Sequence, residues 1–234
     1  MNSSRANAHP QYDGSLKAIC FDLDGVLIHT MPLHARAWQE ALRGFGRRVT
    51  RRWIYEREGE PGIKTARALL KGQRVLAIRA LLEEKERRFS QFAHQIHIEP
   101  FLDRLLGRFV CHHIPLGLVT GTSWKEVQRV VPGRALKRFD VIVTGDQVHH
   151  GKPHPEPYVR AFARLGISPQ RMIVVENSPY GIRSAKRAHA GLIVALASSL
   201  PSRYLREAHL VTHSVPRLCS VLEARMGLID NATP

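Results

Sequence analysis

Six short apolar runs set the strongest limit on what this chain can fold into. They span 17–21 (KAICF), 116–120 (LGLVT), 140–144 (DVIVT), 171–175 (RMIVV), 192–196 (LIVAL) and, shortest, 209–212 (HLVT). They read as near-continuous apolar and β-branched stretches rather than as an alternation of apolar and polar residues. Strands buried on both faces have that pattern, and parallel sheets are built from them. Helical periodicity fills the intervals at 123–131, 155–165, 179–190 and 215–225. Ser123 and Ser178 stand at N-cap positions, Pro179 suits a first helical turn, and Gly191 suits a helix stop. Alternating strands and helices predict an α/β fold, a doubly wound, Rossmann-like parallel sheet.

One interval breaks the alternation. From about 32 to 98 the pattern is helical throughout, as in PLHARAWQEALRGFG, where Leu33, Ala37, Trp38, Ala41, Leu42 and Phe45 share a face. A helical block between the first two strands predicts an all-helical cap inserted into the sheet domain. The expected division is a disordered polar tail over 1–15, an α/β core over 16–30 and 100–234, and a cap over 31–99.

Ligands of parallel sheets sit beyond the carboxyl ends of the strands. The first run ends in Asp22-Leu23-Asp24-Gly25, the second in Thr120-Gly121-Thr122-Ser123, and the fourth in Glu176-Asn177-Ser178-Pro179. The segment after the third, TGDQVHHGKPHPEPY, carries Lys152. Two acids, a hydroxyl, a lysine and an acid–amide pair are therefore expected at one edge. Carboxylates so close repel and call for a counter-cation. Hard oxygen ligands favour Mg²⁺. With its charge screened, Asp22 could attack phosphorus while Asp24 serves as acid and then base. Thr120 and the backbone N–H groups of Gly121 and Thr122 could cradle phosphate oxygens, and Lys152 could neutralise nucleophile and phosphoryl group together.

In order, FDLDGV, the strand ending in TGT, GKPHPEPY and VVENSPYGI resemble the four motifs of the haloacid dehalogenase-like phosphohydrolases. DLDGVLIHTMPLHARAW is similar to the branch of β-phosphoglucomutases and small sugar-phosphate phosphatases with a helical cap. The resemblance covers nearly the whole chain from Lys17 onward. It implies that Asp22 is the nucleophile and that Asp24 is the acid/base, which also lends its backbone carbonyl to Mg²⁺. It implies that Thr120 binds phosphate, that Lys152 is the third-motif lysine, and that Glu176 and Asn177 occupy the metal-binding pair. Thr30 and His34 match hinge and cap-entry positions. His34 and Gly59 are expected to face substrate with Gly121 and Thr122, and Gly62, Lys64 and Arg67 are further candidates.

Two departures matter. Asn177 stands where the commoner pair has Asp. An amide oxygen can ligate a hard cation but brings no charge, so metal affinity is expected to fall unless Glu176 compensates. The cap segment EREGEPGIKTAR does not reproduce the mutase loop, in which an arginine follows a glycine by a few residues. That favours a Mg²⁺-dependent phosphatase acting through an aspartyl-phosphate on a small phosphorylated metabolite, a sugar phosphate by preference. The alternatives are a β-phosphoglucomutase and a non-catalytic phosphate-ligand binding protein. Lys85 could reach a second phosphate, but a solvated EEKERR helix face is the simpler reading. His149, His150 and His154 read as a solvated loop, with no acid at zinc spacing.

The net charge of +15 could point to nucleic acid or to anionic substrates. The arginines are scattered, and no helix-turn-helix, zinc finger or aromatic-interleaved basic stripe is present, so no nucleic-acid role is expected. No apolar run reaches the ~18 residues of a membrane span. Three isolated cysteines, Cys20, Cys111 and Cys219, suggest a reducing cytoplasm and small core side chains, not a disulfide framework. A monomer is expected.

Overall fold

The structure is a computed structural model that describes residues 16–229. The tail expected over 1–15 lies outside the described residues. All six apolar runs form strands: β1 (Ala18–Phe21), β2 (Leu116–Val119), β3 (Val141–Val143), β4 (Met172–Glu176), β5 (Leu192–Leu196) and β6 (Leu210–Thr212). They make one parallel sheet in the order β3-β2-β1-β4-β5-β6. Strand β1 is central, and its side chains divide between two cores. Ile19 and Phe21 pack with helices α5 (Pro100–Cys111), α6 (Trp124–Val130) and α10 (Val215–Arg225). Ala18 and Cys20 pack on the other face with α8 (Glu156–Leu165) and α9 (Pro179–Arg187). A strand buried on both faces has no polar side to show, hence its unbroken apolar sequence.

Helix α5 has no counterpart among the expected elements. Leu102, Leu105, Leu106 and Phe109 give it a buried stripe, Pro100 opens it, and Glu99 accepts hydrogen bonds from the N–H groups of Phe101 and Leu102. The short α7 (Gly133–Leu136) was likewise not anticipated. Helix α9 stops at Arg187, earlier than Gly191 suggested, and His189 takes the left-handed conformation at φ 60°. Gly191 is required for another reason: a Cβ there would lie 1.9 Å from the Gln170 carbonyl oxygen. The three cysteines are free; Cys20 and Cys219 are buried, but Cys111 is exposed at the end of α5 and is not a core residue. Among the described residues no helix is long and apolar enough to cross a membrane.

Between β1 and α5 lie α1 (Met31–Arg43), α2 (Arg51–Tyr55), α3 (Gly62–Leu69) and α4 (Val75–Ser90). They bury a third core of their own, including Met31, Trp38, Leu42, Ile54, Leu70, Ile78 and Leu81. Both ends of this all-helical cap meet the core side by side. Ile28 forms an antiparallel bridge with Ile98, and the Glu99 N–H donates to the Leu27 carbonyl at 2.9 Å.

Candidate active site

The strand order reverses at β1 and β4, the place where doubly wound sheets open a crevice. Asp22 and Asp24 follow β1, Glu176 ends β4, and Thr120 follows β2. Lys152 reaches them from the loop between β3 and α8 and is 1% exposed. Its Nζ donates to Asp22 Oδ1 at 2.5 Å, to Glu176 Oε1 at 2.6 Å and to the Val119 carbonyl at 3.0 Å. Burial alone would lower the Lys152 pKa, but Asp22 and Glu176 outweigh it and hold the ammonium charged. Burial pushes the Asp22 carboxyl up, against the pull of Lys152, and the neighbouring Glu176 and Asp24 add to the rise.

Asp24 is held differently. Its Oδ1 accepts from Thr30 Oγ1 at 2.5 Å and faces His34 Nε2 at 3.0 Å; its Oδ2 accepts from Thr122 Oγ1 at 2.8 Å and Thr120 Oγ1 at 3.4 Å. Burial opposes ionisation, but His34, Thr30 and Thr122 outweigh it and keep this carboxyl well below its usual range. His34 is fixed by stacking on Phe89, ring centroids 3.9 Å apart. The Thr122 N–H, expected to face phosphate, donates to Thr120 Oγ1 at 3.1 Å in this arrangement.

Glu176 does not stand beside Asn177 as a second open ligand. Its Oε1 accepts from Lys152 and from Tyr158 Oη (2.6 Å), and its Oε2 from the Asn177 N–H and Ser178 Oγ. Both oxygens are engaged, so this carboxylate anchors Lys152 and offers no bare oxygen beside Asn177. Gly181 permits the arrangement, because a Cβ there would lie 1.9 Å from Glu176 Oε1.

The residue the sequence pattern missed is Glu58. It comes from the cap loop before α3, is 7% exposed, and accepts from Asn177 Nδ2 at 2.7 Å through Oε2. Ser178 Oγ donates to its backbone carbonyl at 3.3 Å. Gly59 follows in the left-handed conformation at φ 77°, and a Cβ there would lie 2.5 Å from Lys152 Cδ. A Cβ on Gly121 would in turn lie 2.7 Å from the Gly59 carbonyl oxygen. The two glycines let the cap loop lie directly on the core. The one hint of Glu58 in the sequence was indirect: Asn177 leaves the strand-end pair a charge short.

Three buried oxygens at this junction have no hydrogen-bond partner: Asp22 Oδ2, Asn177 Oδ1 and Glu58 Oε1. Leaving such a group unsatisfied costs about 1–3 kcal/mol, more if charged. Around them four carboxylates, of Asp22, Asp24, Glu58 and Glu176, face a single ammonium. Burial, followed by Asp22, Asp24 and Glu176, pushes the Glu58 carboxyl well above its usual range. Bare oxygens amid excess negative charge are what a hard divalent cation satisfies, so the residues fit Mg²⁺.

A cavity of about 250 Å³ opens above this cluster, walled by Asp22, Asp24, Thr120, Gly121 and Thr122 from the core and by His34, Trp38, Arg57, Glu58, Gly59 and Lys85 from the cap. Lys85 is therefore not on a solvated face. It is 7% exposed, with Nζ 3.9 Å from Glu126 Oε1 and 4.9 Å from the Phe89 ring centroid, while Glu83 and Arg87 of the same helix are exposed. Gly62 also lines the cavity, whereas Lys64 and Arg67 are exposed on α3. His149, His150 and His154 do not line this cavity. They are exposed, although Glu156 gathers beside His150 and His154, with ligand atoms within 4.8 Å of one another.

Residues 19–195 match the family model of the haloacid dehalogenase-like hydrolases. The chain belongs to that family. Among its haloacid dehalogenase-like relatives, the phosphorylated carbohydrates phosphatase of Thermotoga maritima is 34% identical over 79% of this chain and 87% of that protein. The fructose-1-phosphate phosphatase YqaB of Escherichia coli is 28% identical over 73% of this chain and 91% of that protein. A CbbY mutant from Rhodobacter sphaeroides, solved in complex with xylulose-(1,5)bisphosphate, superposes with a TM-score of 0.72 at 27% identity, covering 85% of this chain and 94% of that one. The β-phosphoglucomutase of Clostridium difficile shares the fold, with a TM-score of 0.78 at 21% identity, covering 91% of this chain and 98% of that one.

Proposed function

We propose that this haloacid dehalogenase-like hydrolase is a Mg²⁺-dependent phosphatase of small phosphorylated carbohydrates. One observation carries the reading: a buried carboxylate, Asp22, is fixed by Lys152 through one oxygen, keeps the other bare, and sits on the floor of a small cavity beside a second carboxylate, Asp24. The phosphatases among its relatives supply the substrate class, and about 250 Å³ suits a metabolite of that size.

The chemistry follows from the side chains. A carboxylate oxygen of Asp22 forms a bond to phosphorus as the substrate's ester P–O bond breaks, giving an aspartyl-phosphate. Asp24 donates the proton that the leaving oxygen takes up. It then accepts one from the water that attacks the phosphoryl group, which releases phosphate and restores the Asp22 carboxylate. The contacts with Thr30, His34 and Thr122 set Asp24 as a base, and movement of His34 with the cap releases it for the acid role. Lys152 neutralises charge on the nucleophile and on the phosphoryl oxygens. The Thr120 and Thr122 hydroxyls and the Gly121 backbone bind phosphate oxygens; His34 and Gly59 close on the substrate from above. Asp22, the Asp24 backbone carbonyl and Asn177 would hold the cation, which would supply charge neutralisation, while Glu176 holds Lys152 in place. The cap, residues 31–99, closes over the core, residues 16–30 and 100–234, and excludes bulk water.

A second reading, a β-phosphoglucomutase, is favoured by the contact between His34 and Asp24, which ties the acid/base to the cap. The test is phosphate release from a panel of sugar phosphates and phosphoglycolate, with and without Mg²⁺, on wild type and Asp22→Asn, with β-glucose 1-phosphate included and glucose 6-phosphate read out. Mg²⁺-dependent release lost in Asp22→Asn is the expected result. Isomerisation with little release makes the chain the mutase, and no turnover on any substrate refutes both.

A further inference from the structure

We propose that Glu58 is a ligand of the catalytic cation, donated by the cap, and that it restores across the cap–core junction the negative charge that Asn177 lacks. The inference rests on the Mg²⁺-dependent reading above. Its grounds are geometric. Glu58 and Asn177 are hydrogen-bonded to each other through one atom each, Oε2 and Nδ2, at 2.7 Å. Each leaves its remaining oxygen, Oε1 and Oδ1, buried and without a partner, as Asp22 leaves Oδ2. An amide that donates to a carboxylate has its nitrogen committed, and its oxygen is then turned to the remaining space. Three hard oxygens, two of them carboxylate, are a donor set for Mg²⁺, which keeps water at its other positions.

Among the described residues no acid other than Asp22 and Glu58 has a buried oxygen without a partner at this junction. Both oxygens of Glu176 are taken by Lys152, Tyr158, Ser178 and the Asn177 N–H. The Asp24 carboxylate is taken by Thr30, His34, Thr120 and Thr122. Glu58 is held in position by backbone as well as side chain: Ser178 Oγ binds its carbonyl, and Gly59 seats the loop on Lys152. A ligand carried by the cap has a consequence a core ligand would not have. The cation ties cap to core, so metal affinity and cap closure are linked: whatever opens the cap weakens the metal, and metal favours the closed form.

The test measures metal binding without substrate. Mn²⁺ is titrated calorimetrically, with Mg²⁺ in competition, into wild type, Glu58→Gln, Asn177→Asp and the double variant. Hydrogen exchange of the loop around Glu58 is followed with and without Mg²⁺. Glu58→Gln keeps the hydrogen bond to Asn177 Nδ2, so a purely structural role leaves metal affinity unchanged. The expected result is a loss of tenfold or more in Mn²⁺ affinity in Glu58→Gln, a loss of threefold or less for the same change in the Asn177→Asp background, and metal-dependent protection of the loop in wild type that disappears in Glu58→Gln. Equal affinity in wild type and Glu58→Gln, with wild type still metal-dependent, overturns this proposal and leaves the phosphatase reading standing. Should Glu58→Gln not fold, exchange of the loop around Glu58 in wild type that is the same with and without Mg²⁺ overturns it. A wild type that binds no divalent cation and turns over without one overturns both.

Discussion

Replacing Lys152 with methionine removes the ammonium from a buried cluster of acids while keeping an unbranched side chain one atom shorter. Lys152 is 1% exposed and bridges Asp22 at 2.5 Å and Glu176 at 2.6 Å. Removing one partner from a buried ion pair costs about 3–5 kcal/mol, because the other charge is left uncompensated. At roughly 2–4 °C per kcal/mol for a chain of this size, the melting temperature near neutral pH falls by about 6–20 °C. The loss depends on pH, and its sign is fixed. Burial already pushes Asp22 up, and Lys152 is what opposes that rise. With Lys152 in place Asp22 already stands at about 8, so both folded forms carry its proton up to that pH, whereas the unfolded chain, with ordinary carboxyls near pH 4, has released it. Without Lys152 the folded state keeps that proton to higher pH, so the variant loses stability relative to wild type as pH rises above about 8, by up to about 1.4 kcal/mol per pH unit for each such proton. The assay is thermal unfolding of wild type and Lys152→Met in EDTA from pH 6 to 10. The gap in melting temperature should hold steady up to about pH 8 and widen above it. A gap that stays constant above pH 8, or narrows there, would refute the account of Lys152 as the counter-charge of this cluster.

Other outcomes follow from the same geometry. Tyr158→Phe removes the hydrogen bond to Glu176 but leaves Lys152 on the same oxygen; unfolding should show a loss of about 1.5–3 kcal/mol with kcat nearly unchanged. Gly59→Ala meets both the left-handed backbone, worth about 1–2 kcal/mol, and the Lys152 side chain; kcat/KM should fall roughly tenfold or more as the loop lifts, and unchanged kinetics would contradict the close approach. His209 accepts from the Ile193 N–H through Nδ1, and burial, then Lys186, holds its pKa below the ordinary value. Its contribution to stability is present above about pH 6.5 and is lost as pH falls below that, so His209→Asn should flatten the acid limb of the melting curve. With a net charge of +15, kcat/KM for anionic substrates should drop as ionic strength rises from about 0.01 to 0.15 M, where the Debye length shrinks from about 30 to 8 Å; a flat response refutes steering.

Much of this protein is written locally. A strand buried on both faces must be apolar at every position, so the runs around Ile19, Leu118 and Val174 announce a parallel sheet by themselves. Once the strands are placed, the residues at their carboxyl ends, Asp22, Asp24, Thr120 and Glu176, must share an edge, and Lys152 enters from the loop after β3. What escaped was decided by contacts between distant segments. Lys85 lies in a charged stretch that reads as solvated, yet the packing of Leu81 and Phe89 on its own helix face turns it inward. Glu176 reads as a metal ligand until Lys152, from a distant loop, and Tyr158, from α8, both donate to its Oε1. Glu58 lies 119 residues from Asn177, and no periodicity or motif joins them. Period and composition report which residues are buried, because burial is a property of one element against the whole core. Which lone pairs remain unpaired depends on two elements meeting at hydrogen-bond distance, and only the folded chain brings the cap loop of Glu58 to the end of β4.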